Sequence, residues 1–177
     1  QDLADDGSQF DHLMGDGDVL EFSTITVKAI LTPGHTSACV SYLIQDNLFS
    51  GDAMFMPDFG TARTDFPGGS ASELYTSIHR ILALPDATRL FLCHDYKTAN
   101  RDTYCWETTV AEQKARNIHV GGGKSETDFV DFRIKRDAQL AMPKLIIPSI
   151  QVNMRAGKMP PSEDDGNTYL KVPINRL

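Results

Sequence analysis

From Glu21 onward apolar and polar residues alternate, with Ile25, Val27, Ala29 and Leu31 interleaved with Thr24, Thr26 and Lys28. A period of two marks a strand, and Thr32-Pro33-Gly34 breaks the run, so the pattern predicts a strand ending at His35. A second apolar run, Cys39 to Ile44, meets the turn Gln45-Asp46-Asn47 and resumes as Leu48-Phe49-Ser50. This is a hairpin whose second strand ends at Gly51-Asp52. Ser70 followed by Glu73 makes a capping box, behind which Leu74, Ile78, Ile81 and Leu82 recur at helical spacing until Pro85. Arg89 to Cys93 is too short for a helix and predicts a third buried strand, tipped by His94-Asp95. Thr109 with Glu112 opens a short helix, and a longer one spans Ser125 to about Leu140. Beyond it Pro143, Pro148, Pro160 and Pro161 predict extended coil and turns. The resulting order of strand, strand, helix, strand, helix, helix is a mixed α/β arrangement, read as a single domain over residues 1–177.

Two segments invite a motif reading and do not sustain it. The acidic, Gly-rich opening contains Asp16 and Asp18 but lacks the register of a calcium loop, and reads as solvated turns. Gly121-Gly122-Gly123 carries neither GxGxxG nor GK[ST], and reads as a flexible connection.

Charge and cysteine content narrow the function classes. Lys and Arg total 17 against 24 Asp and Glu, a net charge of −7, which suits neither nucleic acid nor an anionic membrane. No run approaches the roughly 18–20 apolar residues of a membrane span, and residues 1–20 lack the basic start and apolar core of a signal peptide. Three cysteines without a CxxC pair argue against a disulfide framework and against a Cys-based zinc cluster. A soluble protein of the reducing cytoplasm fits these features.

The chemistry sits just past three predicted strands: His35 in TPGHT, Asp52 in SGDAMF and His94 in CHDY. Sheets gather functional residues at one edge, so two imidazoles and a carboxylate can meet in one cleft. His12, His79 and His119 read as structural. Cys93 closes an apolar run and should alternate away from His94, so it reads, like Cys39, as a buried inert thiol. Met54 to Phe59 reads as an apolar wall.

Thr32-Pro33-Gly34-His35-Thr36, then Gly51-Asp52, then His94-Asp95-Tyr96, in this order, resemble the metallo-β-lactamase fold superfamily. Phe59-Gly60-Thr61-Ala62-Arg63-Thr64-Asp65-Phe66, with Leu74-Tyr75 and Ile78, resembles its glyoxalase II-like branch, which includes the persulfide dioxygenases. Asn153-Met154-Arg155-Ala156-Gly157 resembles a C-terminal element of that branch, and Tyr169-Leu170-Lys171-Val172-Pro173 the ending of its bacterial members. The resemblance runs from about Asp6 to Leu177. Members carry an HxHxDH motif upstream of the PGHT strand, and no such motif occurs in these 177 residues. The chain therefore looks like the C-terminal part of a longer protein, an N-terminally incomplete αββα sandwich.

That resemblance implies a mononuclear Fe(II) held by an upstream His, His35 and Asp52, the two-His-one-carboxylate set of non-haem oxygenases. It implies catalytic roles beside the metal for His94 and Tyr96, and substrate-binding roles for Arg63 and Arg155, each of which could instead staple loops together. The implied reaction is oxidation of glutathione persulfide, or a similar small persulfide, to sulfite with O2; a homodimer is compatible with it. The alternatives are a dinuclear zinc hydrolase of the glyoxalase II type, with His94 as a ligand, and a truncated, non-catalytic module.

Overall fold

The computed structural model describes residues 6–172. Within Met14–Gln139, one of two compact units, the alternating segments pair into a six-stranded sheet in chain order. Its strands are β1 (Val19–Phe22), β2 (Ile25–Leu31), β3 (Val40–Ile44), β4 (Asn47–Phe49), β5 (Arg89–Phe91) and β6 (Glu107–Thr109). Neighbours are antiparallel except β4 and β5, which run parallel because helix α1 (Ala71–Leu82) lies in the connection between them.

The alternation locates β2, β3 and β4, with two differences. β2 stops at Leu31, so His35 sits in the following loop and not at a strand tip. β1, at the boundary between the acidic opening and the alternating run, forms a strand of its own and pairs with β2 through the two-residue turn Ser23-Thr24, where Ser23 adopts φ 56°. Asp16, in the opening read as solvated turns, accepts hydrogen bonds from Arg80 at 2.9 Å and from the Leu31 amide at 2.9 Å. β6 is three polar-leaning residues, Glu-Thr-Thr, and exists through its pairing with β5 and not through any pattern of its own.

The helices begin where their caps are. The hydroxyls of Ser70, Thr109 and Ser125 accept from the amides of Glu73, Glu112 and Asp128, opening α1, α2 (Val110–Arg116) and α3 (Glu126–Asp137). On α1, Leu74, Ile78 and Ile81 are fully buried in one core with Leu48 of β4, Leu90 of β5 and Phe129 of α3. Each such side chain contributes roughly 1.5–3 kcal/mol.

The second unit comprises Gln1–Leu13 and Leu140–Leu177. The expected coil contains a helix, α4 (Ile146–Asn153). Pro148 is its third residue, where a backbone N–H would have no acceptor within the helix, so proline costs no bond there. Gln151 ties the unit together, giving its Nε2 to the carbonyl of Lys171 at 2.9 Å and accepting the Lys171 amide at 2.8 Å. Gln9 Nε2 donates to the carbonyl of Met154 at 3.0 Å. Pro173 lies outside the described residues. Among those described, no helix is long and apolar enough to cross a membrane.

Candidate metal centre

His35 is placed by a close approach of backbone to backbone. Gly34 has φ 128°, and a Cβ there would lie 2.2 Å from the backbone nitrogen of Leu74, so only glycine lets the start of α1 reach this loop. The Ser70 amide donates to the Gly34 carbonyl at 2.8 Å and the Ser77 hydroxyl to the Pro33 carbonyl at 2.7 Å. Thus fixed, His35 brings Nδ1 to 2.7 Å from the carbonyl oxygen of Arg63. A carbonyl only accepts, so Nδ1 carries the hydrogen and Nε2 the lone pair. Nε2 faces Asp52 Oδ2 at 4.0 Å. An imidazole anchored through one nitrogen with the other presented to a carboxylate is how proteins orient a metal-binding histidine.

The Arg63 carbonyl is itself held from several directions. Gly60, at φ 101°, lies against the ring of His119, and its carbonyl accepts from Asn117 Nδ2 at 3.1 Å. The amide and hydroxyl of Thr61 meet His119 Nδ1 at 2.9 and 3.1 Å. Burial and the Arg133 charge push His119 down to about 3, so the ring is neutral and Nδ1 accepts. Thr64 donates its amide and hydroxyl to Asp137 Oδ2 at 2.8 and 3.1 Å, while Asp137 pairs with Arg133 in the interior.

The Arg63 side chain does not stand open to a substrate carboxylate, because Asp65, two residues on, already occupies it. Nε and Nη2 grip the two oxygens of Asp65 at 2.6 Å each. The guanidinium lies 4.9 Å above the ring of Phe66, whose ring meets His35 edge-on at 5.1 Å.

Asp52 stands in a 3-10 turn, Gly51–Ala53, directly after β4, with its side chain 36% exposed. While Oδ2 faces His35, Oδ1 lies 3.2 Å from His94 Nε2 and 3.3 Å from Cys93 Sγ. Cys93 is therefore not the buried, averted thiol that alternation implies. β5 ends at Phe91, so the two-residue period lapses and Cys93 and His94 both turn toward Asp52. Partial burial of the sulfur and the Asp52 charge push the thiol up to about 12, leaving it a hydrogen-bond donor. Cys39 is half-buried, its sulfur 3.1 Å from the Thr36 hydroxyl. His94 is 53% exposed, and among the described residues its second ring nitrogen has no anchoring hydrogen bond.

The loop after His94 rests on an ion pair that no sequence pattern signals. Asp95, its side chain 5% exposed, accepts from both terminal nitrogens of Arg101 at 2.5 and 2.7 Å and from the amides of Lys97 and Cys105. Arg101 holds its carboxyl down to about 2, and also grips Asp58. Tyr96 packs edge-on against Phe55 at 5.5 Å, with Phe59 at 4.9 Å and His94 at 5.8 Å. Burial and the Asp52 charge raise its hydroxyl above the usual tyrosine range, so it too is a donor. Met54 and Phe55 are buried as a wall.

Arg155 belongs to the other unit. Its Nη1 donates to the carbonyl of Gln151 at 2.7 Å, and it lines a polar cleft of about 310 Å³ with Glu163, Tyr169 and Lys171. His79 is a surface residue of α1, its Nδ1 2.9 Å from the Tyr75 carbonyl.

Residues 3–94 match the metallo-β-lactamase superfamily. The chain belongs to this superfamily. Its mixed α/β architecture is that of the superfamily's solved structures, among them ETHE1 from Myxococcus xanthus, which superposes with a TM-score of 0.72 at 36% identity over 82% of this chain and 60% of that one. Glyoxylase B2 of Dictyostelium discoideum is 50% identical over 97% of the chain and 59% of its own length. The mitochondrial persulfide dioxygenase of Homo sapiens is 32% identical over 88% of the chain and 58% of its own length. The chain thus spans about three fifths of each of these superfamily relatives.

Proposed function

We propose that the protein is an iron-dependent dioxygenase that oxidises a small persulfide, with glutathione persulfide the leading substrate, in the balance RSSH + O2 + H2O → RSH + sulfite + 2 H⁺. The observation that carries this reading is the difference between the two imidazoles. His35 is anchored through Nδ1 and presents a lone pair, whereas His94 brings Nε2 to Asp52 and, among the described residues, has no such hydrogen-bonded anchor on its other nitrogen. One anchored imidazole and one carboxylate suit a single ion, completed by a histidine from outside these residues. The donor set of nitrogen and carboxylate oxygen fits ferrous iron, which when bound would supply the means of activating dioxygen. The similarity to the human persulfide dioxygenase and to the Myxococcus xanthus structure supports the same reading.

The chain's own groups then take definite parts. His35 and Asp52 hold the ion. Cys93 donates to Asp52 Oδ1, beside which His94 Nε2 stands, and helps to fix the carboxylate, leaving Oδ2 toward His35. The Tyr96 hydroxyl offers a proton at the mouth of the site, and Phe55 and Phe59 shield one side from water.

A second reading, a dinuclear zinc thioester hydrolase, has one feature in its favour: Asp52 offers a separate oxygen to each imidazole, the arrangement of a carboxylate between two ions. The similarity to the Dictyostelium glyoxylase points the same way. Anaerobic reconstitution of the protein, expressed with whatever coding sequence precedes Gln1, separates the two. About one iron per chain and oxygen uptake with glutathione persulfide is the expected result. Two zinc ions per chain and thioester cleavage without oxygen uptake would replace the dioxygenase reading with the hydrolase.

A further inference from the structure

We infer that the polar cleft beside α4 is a binding site for a small zwitterion, an amino acid or short peptide presenting both a carboxylate and an ammonium group. It shares no residue with the proposed iron site and does not depend on the iron reading. The cleft, of about 310 Å³, is lined by Arg155, Pro160, Glu163, Asp164, Tyr169 and Lys171, among others, a size that suits a ligand of a few residues at most. Its walls are held before any ligand arrives. Gln151 closes on Lys171 through both ends of its amide. The turn that follows is fixed by the Glu163 amide donating to the Asn167 carbonyl and the Gly166 amide to the Glu163 carbonyl, each at 2.8 Å. Tyr169 gives its hydroxyl to Asp165, and Pro160-Pro161 restricts the backbone ahead of the turn. A preformed cleft spares a ligand the cost of ordering it.

The charges of the lining decide what it takes. They cancel formally, and one pair satisfies itself, Lys171 Nζ lying 2.8 Å from Glu163 Oε1. The other two charges are open. Among the described residues Arg155 gives a single hydrogen bond, from Nη1 to the Gln151 carbonyl at 2.7 Å, and neither Arg155 nor Asp164 has an ion-pair partner. Arg155 is half-buried, so water solvates its guanidinium less fully than at an open surface, and the unused edge of its N–H fork can grip a carboxylate through paired bonds. Asp164 is exposed and can accept from an ammonium. A plain anion drawn to Arg155 meets the carboxylates of Glu163 and Asp164, and a plain cation drawn to Asp164 meets Arg155 and Lys171. Only a ligand carrying both signs matches both open groups, which is how complementary charges give a site its specificity. The Tyr169 ring and the prolines supply apolar contact for its carbon chain.

The test uses the full chain, free of added metal and with its arginine nitrogens isotopically labelled. It follows the Arg155 Nε–H resonance, assigned as the one missing from Arg155→Gln, while glycylglycine is added. A saturable shift is expected, with calorimetry giving a single site. Arg155→Gln and Asp164→Asn should each weaken glycylglycine binding about tenfold or more, and the second alters an exposed side chain and leaves the fold intact. N-acetylglycylglycine, which keeps only the carboxylate, and glycylglycinamide, which keeps only the ammonium, should each bind about tenfold or more weakly than glycylglycine. Arg116→Gln, which removes an exposed guanidinium of α2, should change nothing. The absence of a saturable shift, equal binding of N-acetylglycylglycine, or an affinity indifferent to both Arg155→Gln and Asp164→Asn would overturn the site. Iron plays no part in this titration, so its failure leaves the dioxygenase reading standing.

Discussion

The Nδ1 hydrogen of His35 is donated to the backbone carbonyl of Arg63 at 2.7 Å, across 28 residues of chain. The Arg63 loop thus acts on the His35 imidazole through its backbone. What holds that carbonyl in place is Asp137, which receives the amide of the next residue, Thr64.

Asp137→Asn should therefore weaken metal binding without touching a ligand. The change leaves the Arg133 charge buried without its partner, costing about 3 kcal/mol of stability, and frees the loop beneath His35. Asp65→Asn removes only the clamp on the guanidinium and should act less. Chelator competition should show about a tenfold loss of metal affinity in the first variant and a smaller one in the second. Equal losses would mean that the side-chain clamp, not the Thr64 anchor, positions the carbonyl.

On the proposed iron site, His35→Ala and Asp52→Ala should each abolish iron binding, since each would remove one of its direct donors. His94→Ala should retain iron, because that imidazole meets the carboxylate and, among the described residues, has no hydrogen-bonded anchor of its own. Metal analysis of the purified variants checks both; loss of all metal in His94→Ala would point to the dinuclear zinc site.

Periodicity and capping located β2 to β5 and the starts of α1, α2 and α3, because each of those signals is local: a run of alternating residues, or a hydroxyl three residues before its amide. The same reasoning missed β1 and β6, short strands that exist through pairing with a neighbour, and α4, whose proline falls where no bond is lost. At the site, His35, Asp52 and His94 were legible as polar residues beyond strands, and the structure brings His35 and His94 to the two oxygens of one carboxylate. Cys93 was misread because alternation was carried two residues past the end of β5. The Asp95–Arg101 and Thr64–Asp137 contacts join loops and helices distant in sequence, and no spacing rule reaches them.

His119 gives the fold a pH dependence of known sign. Its folded value lies near 3 against an ordinary 6.5, so the unfolded chain takes up a proton that the folded chain refuses. Stability is therefore complete above pH 6.5 and is lost as pH falls from there toward 3. Between pH 7 and pH 5 the loss should be about 1–2 kcal/mol. His119→Asn keeps an acceptor for the Thr61 amide and cannot titrate, so its urea midpoint should change less over this interval. The test window lies above the separate loss from Asp95, which sets in only as pH falls below about 4 toward 2. An unchanged pH slope in His119→Asn would place the sensitivity elsewhere.

The sheet itself predicts self-association. Tyr42, Phe49 and Phe91 stand in register on adjacent strands, opposite in pleat to Leu48 and Leu90, which face the helices. Phe49 and Phe91 stack at 5.2 Å, yet Phe49 remains 43% and Tyr42 38% exposed, with Ile25 of β2 46% exposed. Contiguous aromatic surface of this kind favours burial against another surface, and each ring covered is worth roughly 1.5–3 kcal/mol. Sedimentation velocity on residues 1–177 should show a mean mass that rises with protein concentration. Tyr42→Lys combined with Phe49→Glu keeps a favourable cross-strand pair while removing both rings, and should weaken association by more than about tenfold. If the double variant associates as strongly as the parent chain, the contact runs through some other surface.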